Sequence, residues 1–81
     1  MNSYNTYSQK MNDTQHLVYL YIQTHQGYTA EGILNLITEV EADDSALRRK
    51  ELSDAYGFLV AQDYVKVNNR TLVVSVWGEE S

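Results

Sequence analysis

Residues 52–76 read LSDAYGFLVAQDYVKVNNRTLVVSV, and within this stretch the hydrophobic period changes from helical to two. Leu52, Ala55, Tyr56 and Leu59 recur at the spacing of one helix face, which predicts that this helix continues to about Gln62. YVKV and RTLVVSVW then alternate as strands do, and Asn68-Asn69 suits a two-residue hairpin turn because asparagine tolerates positive φ. That turn would set Val67 opposite Arg70, Lys66 opposite Thr71 and Val65 opposite Leu72. Val65, Val67, Leu72, Val74 and Val76 would share one face, with Tyr64, Lys66, Thr71, Val73, Ser75 and Trp77 on the other.

Upstream, Asp43, Asp44 or Ser45 offers the cap that starts this third helix. Before it, GYTAEGILNLITEV predicts a short helix capped by Thr29, with Ile33, Leu34, Ile37 and Val40 on one face. Gly32 in its first turns costs about 0.5 to 1 kcal/mol relative to alanine, which suggests a close backbone approach to another element. A first helix is expected over about 14–26, capped by Asp13, carrying Leu17, Leu20, Tyr21 and Thr24 at helical spacing and stopped by Gly27. The expected organisation is a disordered polar tail at 1–11, a domain at 12–78 and a short tail at 79–81.

Eighty-one residues suffice for one domain with a thin core. There is no cysteine, so disulfides and thiolate metal ligands are excluded. The longest apolar run, LVYLYI at 17–22, is too short to span a bilayer, and MNSYNTYSQK lacks the features of a secretory signal, so cytoplasmic residence is the expectation. The net charge is −5, from six Lys plus Arg against eleven Asp plus Glu, which opposes non-specific attraction to nucleic acid or anionic lipid. His16 and His25 lie nine apart without a matching ligand set, and no serine has a neighbouring histidine or nucleophile elbow. The acids at 39, 41, 43 and 44 lack the glycine and terminal glutamate of a calcium loop. No enzyme, metal or other cofactor is expected.

Three helices followed by a hairpin, an α+β but mainly α order, resemble the winged helix-turn-helix domain over residues 13–77. The most telling piece is residues 52–76, and Tyr28-Thr29 stands where that family places a minimal first strand. The resemblance implies a small DNA-binding transcriptional regulator, of the compact kind common in viruses and mobile elements. Its third helix would enter the major groove and its wing would touch phosphate or the minor groove. The residues matching those roles are Arg48, Arg49 and Lys50 at the helix and Lys66, Asn68, Asn69 and Arg70 at the wing.

Half the basic side chains thus sit in RRK at 48–50. On a helix whose core direction is Leu52, Arg48 lies about 40° to one side, Arg49 about 60° to the other, and Lys50 about 160° away, so only Lys50 points straight outward. Asp44–Arg48, Arg48–Glu51 and Lys50–Asp54 have the spacing of helix-surface ion pairs, each contributing about 0.2 to 0.5 kcal/mol. Few phosphates would be neutralised by one protomer, so duplex binding would require a homodimer or a protein co-factor. The competing expectation is a protein-binding domain. Its acidic turn, Glu39, Glu41, Asp43 and Asp44, would engage a basic protein surface such as a nucleic-acid channel, with Tyr64 and Trp77 as apolar anchors. Either Tyr64 and Trp77 are covered by the first helix or the tail, or they form an exposed patch.

Overall fold

The computed structural model describes residues 11–77. Three helices, α1 (Asp13–Thr24), α2 (Ala30–Glu41) and α3 (Ala46–Ala61), precede an antiparallel hairpin of β1 (Val65–Val67) and β2 (Val74–Val76). The fold is α+β, mainly α, and winged-helix-like in its order and its C-terminal hairpin. Of the tails expected at 1–11 and 79–81, residues 1–10 and 79–81 lie outside the described residues, and Met11, expected in the first, is half-buried and packs on the core.

Each helix begins where a side-chain oxygen satisfies an otherwise unpaired backbone N–H. For α1 that residue is Asn12, not Asp13. Its Oδ1 accepts from Gln15 N at 2.8 Å, while Gln15 Oε1 accepts from Asn12 N at 2.9 Å, a reciprocal capping box. Thr29 Oγ1 caps α2 through Gly32 N at 3.1 Å, and Ser45 Oγ caps α3 through Arg48 N at 3.2 Å. A Cβ at Gly32 would stand 3.4 Å from both Thr29 Oγ1 and the Tyr28 ring, so its neighbours belong to the adjoining cap and not to another element.

The core is a single cluster in which Val18 and Ile22 of α1, Ile33 and Ile37 of α2, Leu52 and Leu59 of α3, and Val65 and Val74 of the hairpin are fully buried. The buried stripe of α1 therefore differs from the expected one. Leu17 and Tyr21 flank it, Leu20 is exposed, and the Thr24 hydroxyl turns back to donate to the Leu20 carbonyl at 2.8 Å. Contact with α2, α3 and β2 sets this direction, and propensity cannot choose among so many apolar residues in LVYLYI. The helix also ends at Thr24, with Gly27 at φ +94° completing the turn. Val40 lies in the last turn of α2 and is exposed, while Thr38 is buried with its hydroxyl donating to the Asn35 carbonyl at 2.8 Å. Tyr56 is half-buried beside the Leu52, Ala55 and Leu59 stripe.

The hairpin does not close through a two-residue Asn68-Asn69 turn. Val65 pairs with Val76, Lys66 with Ser75 and Val67 with Val74, so the register is displaced by four residues. Asn68 causes this by organising a longer loop. Its Oδ1 accepts from Arg70 N and Thr71 N at 2.8 and 3.0 Å, and its carbonyl accepts from Leu72 N at 2.7 Å. On its other edge β2 is held by the Tyr28 carbonyl, which accepts from Val74 N at 2.9 Å, and by a bridge between Thr29 and Val73, where the minimal first strand was expected. An even displacement preserves the alternation of faces, so Val65, Val67, Val74 and Val76 stay on the expected inner side. Leu72 alone leaves it, exposed in the loop at φ +65°.

Candidate functional site

The corner between α2 and α3 is made by a left-handed residue. Ala42 at φ 57° ends α2, its N–H donating to the Glu39 carbonyl, and Asp43 N reaches the Thr38 carbonyl at 3.0 Å. The chain then reverses through Asp43 and Asp44 into the Ser45 cap. Asp43 Oδ1 accepts from Ser45 N at 3.1 Å, and hydrogen bonding to the Ser45 hydroxyl and backbone N–H holds the Asp43 carboxyl below the usual aspartate range.

Arg48 is held by carboxylates on two helices. Its Nε and Nη2 donate to Glu41 Oε1 and Oε2 at 2.8 and 2.7 Å. Nη1 reaches Glu51 Oε1 at 3.1 Å and Thr14 Oγ1 at 3.4 Å. One guanidinium thus ties together the end of α2, the start of α1 and its own helix, with only 19% of its side chain exposed. Hydrogen bonding to Arg48 lowers the Glu41 pKa, and Glu41 followed by Glu51 raises that of Arg48, so both stay charged across the physiological range. The expected partner Asp44 is displaced by Glu41, which sits across the turn and offers both oxygens to the planar fork.

The other two cations of RRK separate. Arg49 Nη1 donates to Asn35 Oδ1 at 3.2 Å, crossing from α3 to α2. Lys50 projects outward as expected, with 73% of its side chain exposed, and meets Asp54 Oδ2 at 2.8 Å, which raises the lysine pKa. Between α2 and the first turns of α3 lies an open cleft of about 410 Å³ whose rim carries Glu39, Asp43 and Asp44 around Asn35 and Arg49. Over residues 39–54, six carboxylates face three cations, a local net charge of −3. Two large apolar side chains stand out of this corner: Val40 is 63% exposed and Leu47 is 69% exposed. Leu47 was legible in the sequence, lying about 140° from Leu52 on the helical wheel; the exposure of Val40 was not.

At the hairpin, Asn68 spends its side-chain oxygen on the loop backbone, while Asn69 and Arg70 lie exposed at the tip and Arg70 makes no ion pair among the described residues. The two expectations for the aromatic face divide between its members. Tyr64 is half-buried against Tyr19 of α1, edge-on at 6.0 Å, and Phe58 of α3 at 6.1 Å. Trp77 is 53% exposed and carries the Lys66 ammonium 4.7 Å from its ring centre. Of the cations of RRK and the hairpin, Arg48 is paired with Glu41 and Glu51, Lys50 is paired with Asp54 and Lys66 lies over Trp77, whereas Arg49 and Arg70 form no ion pair among the described residues.

Histidine chemistry is local. His25 stacks on Tyr21 at 5.3 Å and meets Tyr28 edge-on at 5.4 Å, with Nδ1 donating to the Tyr21 carbonyl at 2.9 Å. Among the described residues no group of three His, Cys, Asp or Glu side chains is placed to hold a metal ion, and no helix is long and apolar enough to cross a membrane. Compared with protein-family models, curated proteins and solved structures, the chain matches none.

Proposed function

We propose that this winged-helix-like domain is a non-enzymatic protein-interaction module whose acidic α2–α3 corner engages a basic, partly apolar protein surface. The observation that carries the reading is the corner itself: Arg48 is consumed within the fold, residues 39–54 net −3, and Val40 and Leu47 protrude beside Glu39, Asp43 and Asp44. Carboxylates there oppose a phosphate backbone and complement cationic side chains, and the two aliphatic groups supply apolar contact at a partner interface. A nucleic-acid channel of another protein has both the charge and the groove shape that such a corner fits.

The test compares two probes. A fluorescent 30-base-pair duplex titrated at about 50 mM salt, where phosphate contacts are strongest, should show no binding. Immobilised domain should capture a partner with a basic surface, and the Asp43→Asn/Asp44→Asn variant should lose that capture. Capture that survives neutralisation of both aspartates overturns the proposal.

One observation favours duplex binding by a winged-helix regulator instead: Lys50 projects from the outer face of α3, and Arg70 stands at the hairpin tip outside any ion pair among the described residues. Under that reading the duplex binds with a steep salt dependence, and Lys50→Glu or Arg70→Glu weakens it at all sequences.

A further inference from the structure

A second concavity lies at the opposite end of α2, beneath the hairpin loop. This cleft of about 260 Å³ is lined by Thr29, Ala30, Glu31, Tyr56, Val67 and Leu72. Ala30, Val67, Leu72 and the Tyr56 ring give it apolar walls, and its one charged lining residue, Glu31, forms no ion pair among the described residues. The Tyr56 hydroxyl likewise makes no hydrogen bond among them, and burial raises its pKa. Leu72 forms one wall with its backbone at φ +65° and its N–H donating to the Asn68 carbonyl. A branched, non-glycine residue in the left-handed region is sterically unfavourable, and the Asn68-centred loop nevertheless keeps Leu72 over the cleft.

The cleft and the acidic corner share one line on the molecule. Glu31, Asn35 and Glu39 are four apart on α2 and so lie on one face, and Arg49 and Tyr56 are seven apart on α3. Arg49 lines the corner cleft and Tyr56 the apolar one, so both concavities sit between the same two helices, with the Arg49–Asn35 hydrogen bond on the line joining them. Eight residues of helix separate Glu31 from Glu39, about 12 Å. Three to four residues of extended chain cover that span.

We infer that the cleft beneath the hairpin loop is the anchor pocket for an extended basic segment of a partner protein. A large aliphatic side chain of that segment enters among Ala30, Tyr56, Val67 and Leu72, a flanking Arg or Lys meets Glu31, and a second cation three to four residues on reaches Glu39 and Asp43. The occupant follows from charge complementarity: the only charged group lining the pocket is a carboxylate, and beyond Arg49, which is turned onto Asn35, the same line reaches three more, Glu39, Asp43 and Asp44. This deepens the reading of the domain as a partner of basic surfaces and rests on it.

The probe is the synthetic peptide acetyl-Arg-Leu-Ser-Ser-Arg-Arg-amide, titrated into the ¹⁵N-labelled full chain by NMR. Amides of Ala30, Glu31, Tyr56, Val67 and Leu72 should shift together with those of Glu39 and Asp43. Replacing the peptide leucine by glycine should weaken binding about tenfold, the worth of one apolar side chain taken from water. Leu72→Gly should weaken it similarly while leaving the fold intact, since glycine accepts φ +65° without strain; a thermal melt at or above the wild-type midpoint verifies this. Shifts confined to residues 39–44 would overturn the pocket while leaving the acidic-corner reading standing, and duplex binding would strike that reading instead. The absence of any shift, or equal affinity for the glycine peptide, overturns the pocket. So do cleft shifts that appear on raising the protein concentration without peptide, which would mark a second copy as the occupant.

Discussion

If Arg48 is a clamp and not a phosphate ligand, its removal must cost stability. Arg48→Met keeps most of the aliphatic stem and deletes the guanidinium. The bidentate pair with Glu41 is partly desolvated on the arginine side, but Glu41 and Glu51 retain 30% and 49% side-chain exposure, so solvent screening reduces its worth. A charge-assisted bidentate contact of this kind, with the third contact to Glu51, contributes about 1 to 1.5 kcal/mol. At about 4 to 8 °C per kcal/mol for a domain of this size, the melting midpoint should fall by about 4 to 12 °C at neutral pH. Glu41 adds a sign that can be checked. Its folded pKa is depressed by Arg48, so the stability it contributes is complete above its unfolded value of about 4.3 and is lost as pH falls through the lower folded value. The gap between wild type and variant should therefore narrow below about pH 4. A double-mutant cycle of Arg48→Met with Glu41→Gln, read by urea denaturation, should give a coupling near 1 kcal/mol. A coupling under about 0.3 kcal/mol with an unchanged midpoint would refute the clamp and return Arg48 to the surface as a cation available to nucleic acid.

Other consequences follow from the local geometry. Ala42→Gly should raise stability by about 0.5 to 1 kcal/mol in urea, because alanine at φ 57° is strained where glycine is not. Asn12→Ala should lower it by about 1 kcal/mol through loss of the capping box, and Asp13→Ala should lower it less; the reverse order would place the cap at Asp13. Leu52→Ala, at a fully buried site, should cost about 2 to 5 kcal/mol and leave little folded protein. Leu20→Ala should change the midpoint by no more than the equivalent of about 0.5 kcal/mol, since the side chain is exposed.

Several features were legible because they are local. The Leu52, Ala55 and Leu59 stripe, the Thr29 and Ser45 caps and the alternating valines each follow from the spacing of neighbouring residues along one element. Even the capping box was written out, since Gln15 stands three residues after Asn12 and none of its type stands three after Asp13. Lys50–Asp54 and Arg48–Glu51 could be paired by counting, because helix geometry alone brings them together.

What composition and periodicity determined was a small mainly helical domain with a terminal hairpin, its acidic balance, and the concentration of its cations in RRK. Tertiary structure decided which face of α1 turns inward, because LVYLYI offers apolar residues in every direction and only packing selects Val18 and Ile22. It also decided the hairpin register, set by the Asn68 side chain and by Tyr28 from a distant part of the chain. Above all it decided the fate of Arg48: Glu41 precedes it by seven residues and belongs to another helix, so their meeting depends on the angle at Ala42, and no spacing rule along one helix contains that angle.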